Sequence, residues 1–428
     1  MIHASMVKML LIAVVVGCLA AAAASIFDEL ISLGQEFLFT DLPQHYGLSQ
    51  APWWWVAILL VIGASIVALA RKLPGETGNG PLTGFHFDDP LSMVPSVLLA
   101  AFGTLIFGFA LGPEAPLIVL GTAVGAILTR NAEPKVRQAV MFLGGGAAIG
   151  SVFGNPFVTG FMLLEFAAIG MVPPALIVPA FVALASGYLV ELGIANLPGF
   201  GAHSLAVPGL PEYNSVAPRD VALGLLVALI AGLVAVAVRE AAVVFDKRAQ
   251  KKAVLALYLA AAVTAVVVFI VQVFFDIPVD QVLFSGNSGM ATLVKQTSIV
   301  VVIVTLIAKG IAYAVALGGG LRGGPIFPAT FLGVCVGVIA ALVFPFVPVS
   351  PMVAAGIAAS AAGIMRLPAT AALLGAVLVS GTGPAVAPFA IFGAVIGLIV
   401  RTVVDRKLGN PVPPGPDGRP ADPNVLPA

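Results

Sequence analysis

The sequence predicts an all-α, polytopic membrane protein built partly from broken half-helices, and three observations carry that prediction. Hydrophobic residues fill 60% of the 428 positions and charged residues 9%, with a mean hydropathy of +1.10; soluble domains carry about 25% charged residues. Apolar runs recur between Val7 and Val404, continuous rather than alternating, which excludes β-barrel patterning. Glu114 stands in Gly112-Pro113-Glu114-Ala115-Pro116, between the apolar stretches 93–111 and 117–128. A carboxylate at membrane depth costs several kcal/mol and marks an ion or proton path. The glycine and prolines around it break the helix, which a bilayer tolerates only where the freed backbone is buried or lines a polar cavity.

At about 20 residues per span the chain has room for more than ten spanning or partly spanning helices. Residues 6–24 share an Ala-rich end with signal peptides, but the run is long for one and continues through Ile26 and Phe27 to Asp28 and Glu29. It is read as a retained first helix. Trp53, Trp54 and Trp55 fit an interfacial aromatic belt. Asp88-Asp89-Pro90 is placed as the cap of the helix that follows it. Residues 193–219, with Pro198, Pro208, Pro211 and Pro218, form a long surface loop joining two halves. The basic groups at 247–252 and 401–407 favour the cytoplasmic side; the acidic stretch 28–41 carries no such mark. After Leu408 the Pro- and Gly-rich residues 409–428 are expected to be a disordered tail. One transmembrane domain, 1–408, and that tail make up the expected organisation.

Several classes drop out. Net charge is zero with no basic stripe, so nucleic acid is not a partner. Cys18 and Cys335 are isolated small hydrophobes. His3, His45, His86 and His203 share no metal-ligand spacing. No Gly-x-Ser-x-Gly and no nucleophile with a base at plausible spacing is present. An enzyme, a cofactor and a metal are therefore not expected.

Each half holds Gly/Pro-interrupted apolar sequence: 78–81, 112–116 and 154–157 in the first, 318–328 and 366–368 in the second. Paired interruptions mark repeated transporter architecture, with the site where the repeats meet. A half-helix that begins in mid-membrane points unpaired N–H groups and a positive dipole end at whatever lies ahead. Several such ends make an anion site without a full positive charge. Gly80 and Pro81 suit one helix start, Pro113 and Pro116 bracket another at Glu114, and Gly318 to Pro328 leads into a third.

The order Gly-x-Gly-Pro, Gly-x-Glu-x-Pro and a Gly-Gly-x-x-x-Pro helix start resembles the CLC family of chloride channels and proton-coupled chloride transporters. Phe153-Gly154-Asn155-Pro156-Phe157-Val158-Thr159-Gly160, with Glu165 nine residues after the proline, and Arg366-Leu367-Pro368-Ala369-Thr370 extend the likeness. The resemblance implies a CLC-like inverted-repeat helical bundle, paired as a homodimer with one pathway per subunit. It assigns gating and proton exchange to Glu114, anion coordination to Asn79 and Gly80, and backbone amides on the anion to Ile326 and Phe327.

The departures matter equally. Where coupled members often carry an inner glutamate, this chain has Phe166, and the neighbouring Glu165 points about 100° away on a helix. Glu165 is read as a hydrogen-bonded structural carboxylate ahead of a displaced proton relay. Ile326 takes the place of an expected Phe, and Pro325 removes one N–H. The family's tyrosine near the end of the membrane domain has no counterpart, since the last Tyr is Tyr313. Lys309 and Arg322 either raise the potential for anions or rest at helix ends with their heads in the interface. Arg366 is read as a cap on carbonyls.

The expected function is transport of chloride or a similar small monovalent anion across the cell membrane by a multi-pass integral protein, with protons as a second partner. Passive or loosely coupled conduction stands ahead of strict anion/proton antiport. An organic-anion secondary transporter and a non-transporting membrane protein are the readings from other classes.

Overall fold

The computed structural model describes residues 2–197, 205–249 and 252–410. Residues 411–428 of the expected tail, Gln250 and Lys251 of the basic turn, and 198–204 of the joining loop lie outside them. Before that loop come α1 (Ile2–Glu36), the one-turn α2 (Leu42–His45), α3 (Trp53–Ala70), α4 (Val94–Leu105), α5 (Glu114–Leu128), α6 (Pro134–Val152), α7 (Pro156–Ala168) and α8 (Ile177–Ile194). After it come α9 (Pro218–Ala249), α10 (Ala253–Phe275), the one-turn α11 (Met290–Leu293), α12 (Ile299–Gly318), α13 (Ile326–Val343), α14 (Val349–Met365), α15 (Pro368–Leu378) and α16 (Ala387–Leu408). Among the described residues, eight helices are long and apolar enough to cross a membrane and five more are apolar but shorter. At about 1.5 Å per residue, the 15 residues of α5 and 11 of α15 fall short of a hydrocarbon core of about 30 Å. The protein is a multi-pass integral membrane protein.

Two halves repeat the same plan. Gly112-Pro113-x-x-Pro116 and Gly324-Pro325-x-x-Pro328 open α5 and α13, separated by 212 positions. The same interval relates Gly121 to Gly333, Gly125 to Gly337, Gly144 to Gly356 and Pro156 to Pro368. Space repeats the spacing: α5 packs on α6 as α13 packs on α14, and α1 lies across α6 and α8 as α9 lies across α14 and α16. A Cβ at Gly121 would run into the Gly144 carbonyl, and one at Gly333 into the Gly356 carbonyl. Inside a membrane, helix association rests on such close backbone contact rather than on a hydrophobic drive.

The first helix is part of this bundle. Its Ala13, Val16, Ala20 and Ala24 are fully buried, and a Cβ at Gly17 would strike the backbone of Ala183. Trp53 and Trp54 are exposed at the start of α3, while Trp55 donates to the Leu38 carbonyl at 2.9 Å.

Three expectations are corrected. Gly80-Pro81 starts no helix: residues 80–90 form turns and irregular backbone before a single 3-10 turn at Leu91–Met93. Pro81, Gly84 and Pro90 within eleven residues defeat helical hydrogen bonding, and Thr83 donates back to the Gly80 carbonyl instead. Asp89 does not cap α4; it accepts the Asn79 amide at 3.2 Å, closing the loop. Among the described residues Arg366 caps no carbonyl but pairs with the buried Asp405, which also accepts Arg401 Nε at 2.5 Å and the Asn410 amide at 3.0 Å. Arg401 is the residue that reaches a carbonyl, that of Gly363 at 3.0 Å.

Candidate functional site

The two half-helix starts touch. Gly112 N–H donates to the Gly324 carbonyl at 2.8 Å and Gly324 N–H returns the bond to Gly112 at 2.5 Å, a two-residue antiparallel bridge between equivalent positions of the repeat. Immediately after each glycine a proline in helical conformation turns the chain into α5 or α13. The bridge therefore sets both N-termini around one point.

Glu114, the first residue of α5, is fully buried and reaches across the bridge. Its Oε1 accepts the Ile326 amide at 3.2 Å and the Phe327 amide at 3.1 Å. These are orphan donors of the α13 N-terminus, the place where a dipole and free N–H groups favour negative charge. The carboxyl group of Glu114 occupies that place, tethered to the chain. Its Oε2 is buried with no partner among the described residues and rests against the Cα atoms of Gly112 and Gly324, where side chains would not fit. Phe327 packs its ring 6.0 Å from that of Phe153, so the first half also holds the amide it offers.

Three residues from the second half brace this centre, and none behaves as a helix-end group in the interface. Tyr313 on α12 is fully buried and donates its hydroxyl to the Pro325 carbonyl at 2.6 Å. A hydroxyl therefore does stand beside the Ile326 amide, supplied from a position far ahead of the one expected. Lys309, one turn earlier, is fully buried and donates to the Leu283 and Phe284 carbonyls at 2.6 and 2.9 Å, its ammonium 5.1 Å from the Phe331 ring centre. Arg322 donates through Nε to the Thr77 carbonyl at 2.8 Å and through Nη2 to Gly78 at 3.1 Å. Residues 75–78 all carry positive φ, with Glu76 at 48° and Thr77 at 78°. Strain of this kind persists where surroundings over-determine it, and the guanidinium supplies the constraint.

Next to the bridge lies a cavity of about 30 Å³ whose walls include Asn79, Gly80, His86, Asp89, Ala115, Pro116, Arg322 and Gly323. Asn79 and Gly80 thus border the same space as Arg322, but the Asn79 amide spends a donor on Asp89. Burial raises the Asp89 carboxyl above the usual aspartate range, His86 nearby draws it down, and Asp88 adds to the rise.

Glu165 lies on a different helix start. It accepts the Ala369 amide at 2.8 Å, the Thr370 amide at 2.9 Å and the Thr370 hydroxyl at 2.5 Å, capping α15 with both oxygens. Phe166 is buried between Phe85 and Phe87, ring centres 5.9 and 5.8 Å away. Losing a cap costs about 1–2 kcal/mol. Glu165→Ala is accordingly expected to lower the thermal midpoint in detergent while leaving the pH response of flux unchanged. A lost pH response at unchanged stability would show a proton-carrying part instead.

Sequence reasoning singled out Glu114, Ile326 and Phe327, which the structure joins directly. It missed the Gly112–Gly324 bridge, though the repeated Gly-Pro-x-x-Pro at a constant interval was a readable sign. His86 was set aside for want of metal spacing. Tyr313 carried no local mark.

The family model described as "Voltage gated chloride channel" matches residues 79–402. The "Putative ion-transport protein YfeO" of Escherichia coli (strain SMS-3-5 / SECEC) is 27% identical over 371 residues, 83% of this chain and 85% of its own length. Its namesake in Escherichia fergusonii gives the same figures. Among solved structures, a slow cyanobacterial Cl-/H+ antiporter superposes with a TM-score of 0.78 at 17% identity, over 93% of this chain and 95% of the other. A CLC-type fluoride/proton antiporter gives 0.73 at 17%, over 92% and 95%. At that identity the two structures speak for the fold, while the family match spans most of the chain and both half-helix starts. The chain belongs to the voltage-gated chloride channel family.

Proposed function

We propose that the protein carries chloride or a similar small monovalent anion across the membrane, one pathway in each subunit of a homodimer, with Glu114 as the gate. The observation that carries this reading is the carboxylate held on the Ile326 and Phe327 amides. An ion arriving at those donors must displace it, and a proton on Glu114 removes the charge that holds it there. Ile326 and Phe327 would bind the ion by their N–H groups, and Asn79 and Gly80 would line the approach. The arrangement supports passive or loosely coupled conduction, because Phe166 cannot carry a proton and Glu165 is committed to capping α15. Strict anion/proton antiport is the second reading, favoured by two structural neighbours that are themselves anion/proton antiporters.

The test is efflux of chloride, bromide, nitrate and fluoride from liposomes holding the purified protein. Flux of at least one of these is expected; flux of none would overturn the reading. Proton movement driven by a chloride gradient at clamped voltage separates the two modes, since uphill pumping at a fixed ratio belongs to strict exchange. Asn79→Ser should alter the ratios among these anions, and unchanged ratios would remove Asn79 from selectivity.

A further inference from the structure

We propose that Tyr313 is a positioning residue for the anion site, which through one shared peptide strengthens the Ile326 N–H and tilts the site toward small, charge-dense anions; this rests on the reading of the Ile326 and Phe327 amides as anion donors. The Tyr313 hydroxyl gives its one proton to the Pro325 carbonyl at 2.6 Å. That carbonyl and the Ile326 N–H belong to the same peptide unit. The unit is planar and trans, so its oxygen and its hydrogen point in opposite directions. The grip on the oxygen therefore aims the hydrogen, and the Ile326 N–H meets Oε1 of Glu114 at 3.2 Å on the far side. Hydroxyl, peptide and acceptor form one chain of hydrogen bonds, and each bond in such a chain polarises the next.

The tyrosine is itself held. It is fully buried, and Lys309 one turn earlier ties α12 to the Leu283 and Phe284 carbonyls at 2.6 and 2.9 Å. The two half-helix starts are unequal in this respect. In the first half the matching carbonyl, that of Pro113, accepts the Leu117 N–H of its own helix at 3.1 Å. Ala101 stands where the repeat would put a second tyrosine. The hydroxyl thus serves the α13 start, which is the one the Glu114 carboxyl group occupies.

Its proton is spent on the carbonyl, so the hydroxyl acts on the ion through the amide and not as a ligand. A stronger donor does not favour all anions alike. One source of ion selectivity is the field strength of the groups around the ion. A strong field offsets the large dehydration cost of a compact anion, whereas a diffuse one such as iodide gains less. With Glu114 in place the effect is masked, because the carboxylate and the ion draw on the same N–H and both weaken with it.

The experiment titrates chloride and iodide by calorimetry into purified Glu114→Ala protein, where the amides are free. Adding Tyr313→Phe should weaken chloride binding about threefold and iodide binding by less than about twofold, so that the preference for chloride falls. A difluorinated tyrosine in place of Tyr313 keeps the ring and donates more strongly from its more acidic hydroxyl; it should move the preference the other way. An unchanged preference in Tyr313→Phe overturns the proposal, and so does an equal loss for both anions, which would mean only a loosened site. A shift of the same sign in both variants overturns it too. Where Tyr313→Phe does not fold, the difluorinated protein decides alone, and a preference unchanged from Glu114→Ala overturns the proposal. Glu114→Ala protein that binds neither anion would instead sink the reading of the amides as the anion site, and this proposal with it.

Discussion

Glu114→Gln is expected to raise anion flux at neutral pH and to flatten its pH profile. On the proposed reading, acid protonates the wild-type carboxylate, weakens its hold on the Ile326 and Phe327 amides and frees them for the ion, so flux should rise as pH falls. Glutamine keeps the size and an acceptor oxygen but has no charge to gain or lose. Hydrogen bonds to charged groups contribute about 1.5–3 kcal/mol and neutral ones about 0.5–1.5. A difference of one or two kcal/mol is roughly a factor of 5–30 in occupancy, and flux limited by that occupancy should increase by a similar factor. Halide efflux between acid and neutral pH checks it. A Glu114→Gln protein with the wild-type pH profile would show that the carboxylate on those amides is not the gate.

Gly324→Ala should have an effect of the same kind by a different route. A methyl group at Gly324 would overlap Oε2 of Glu114 and come within 2.7 Å of its Cβ. Bridge and half-helix leave the backbone little room, so the flexible carboxylate is what yields. Overpacking costs about 1–3 kcal/mol, and its relief is release of the side chain from the amides. The expected results are a lost pH response and a larger halide-induced rise in thermal midpoint, since the amides are left to the ion. In a Glu114→Gly background, which removes the Cβ as well as the carboxylate, the added methyl should change flux little. A Gly324→Ala protein that keeps both pH response and halide response would mean that the carboxylate tolerates the crowding where it is.

What could be read from the sequence was whatever a short stretch encodes. A carboxylate in apolar sequence, flanked by prolines, announces itself because nothing local explains its cost. The helix starts at 112–116 and 324–328 were readable for the same reason. Gly80-Pro81 was misread, because a glycine-proline pair marks a break whether or not a helix follows, and Pro81, Gly84 and Pro90 leave none room to propagate. The remaining features depend on distance. Arg322 reaches carbonyls 244 and 245 positions away, and Glu165 caps a helix 204 positions on. Tyr313 lies beside Ile326 only because α12 and α13 run back against each other. None of these partners leaves a trace in its neighbour's local sequence.

The stitch between Gly112 and Gly324 also limits what can move. In many carriers one half rocks against the other around a fixed site, but here the halves are fastened backbone to backbone at the site itself. What remains free to swing is a carboxylate on two methylene links. Such a lever leaves the outline of the protein unchanged, so the surrounding lipid has nothing to resist. Turnover should then be nearly indifferent to bilayer thickness, the property to which a rocking bundle is most exposed through mismatch with its surroundings.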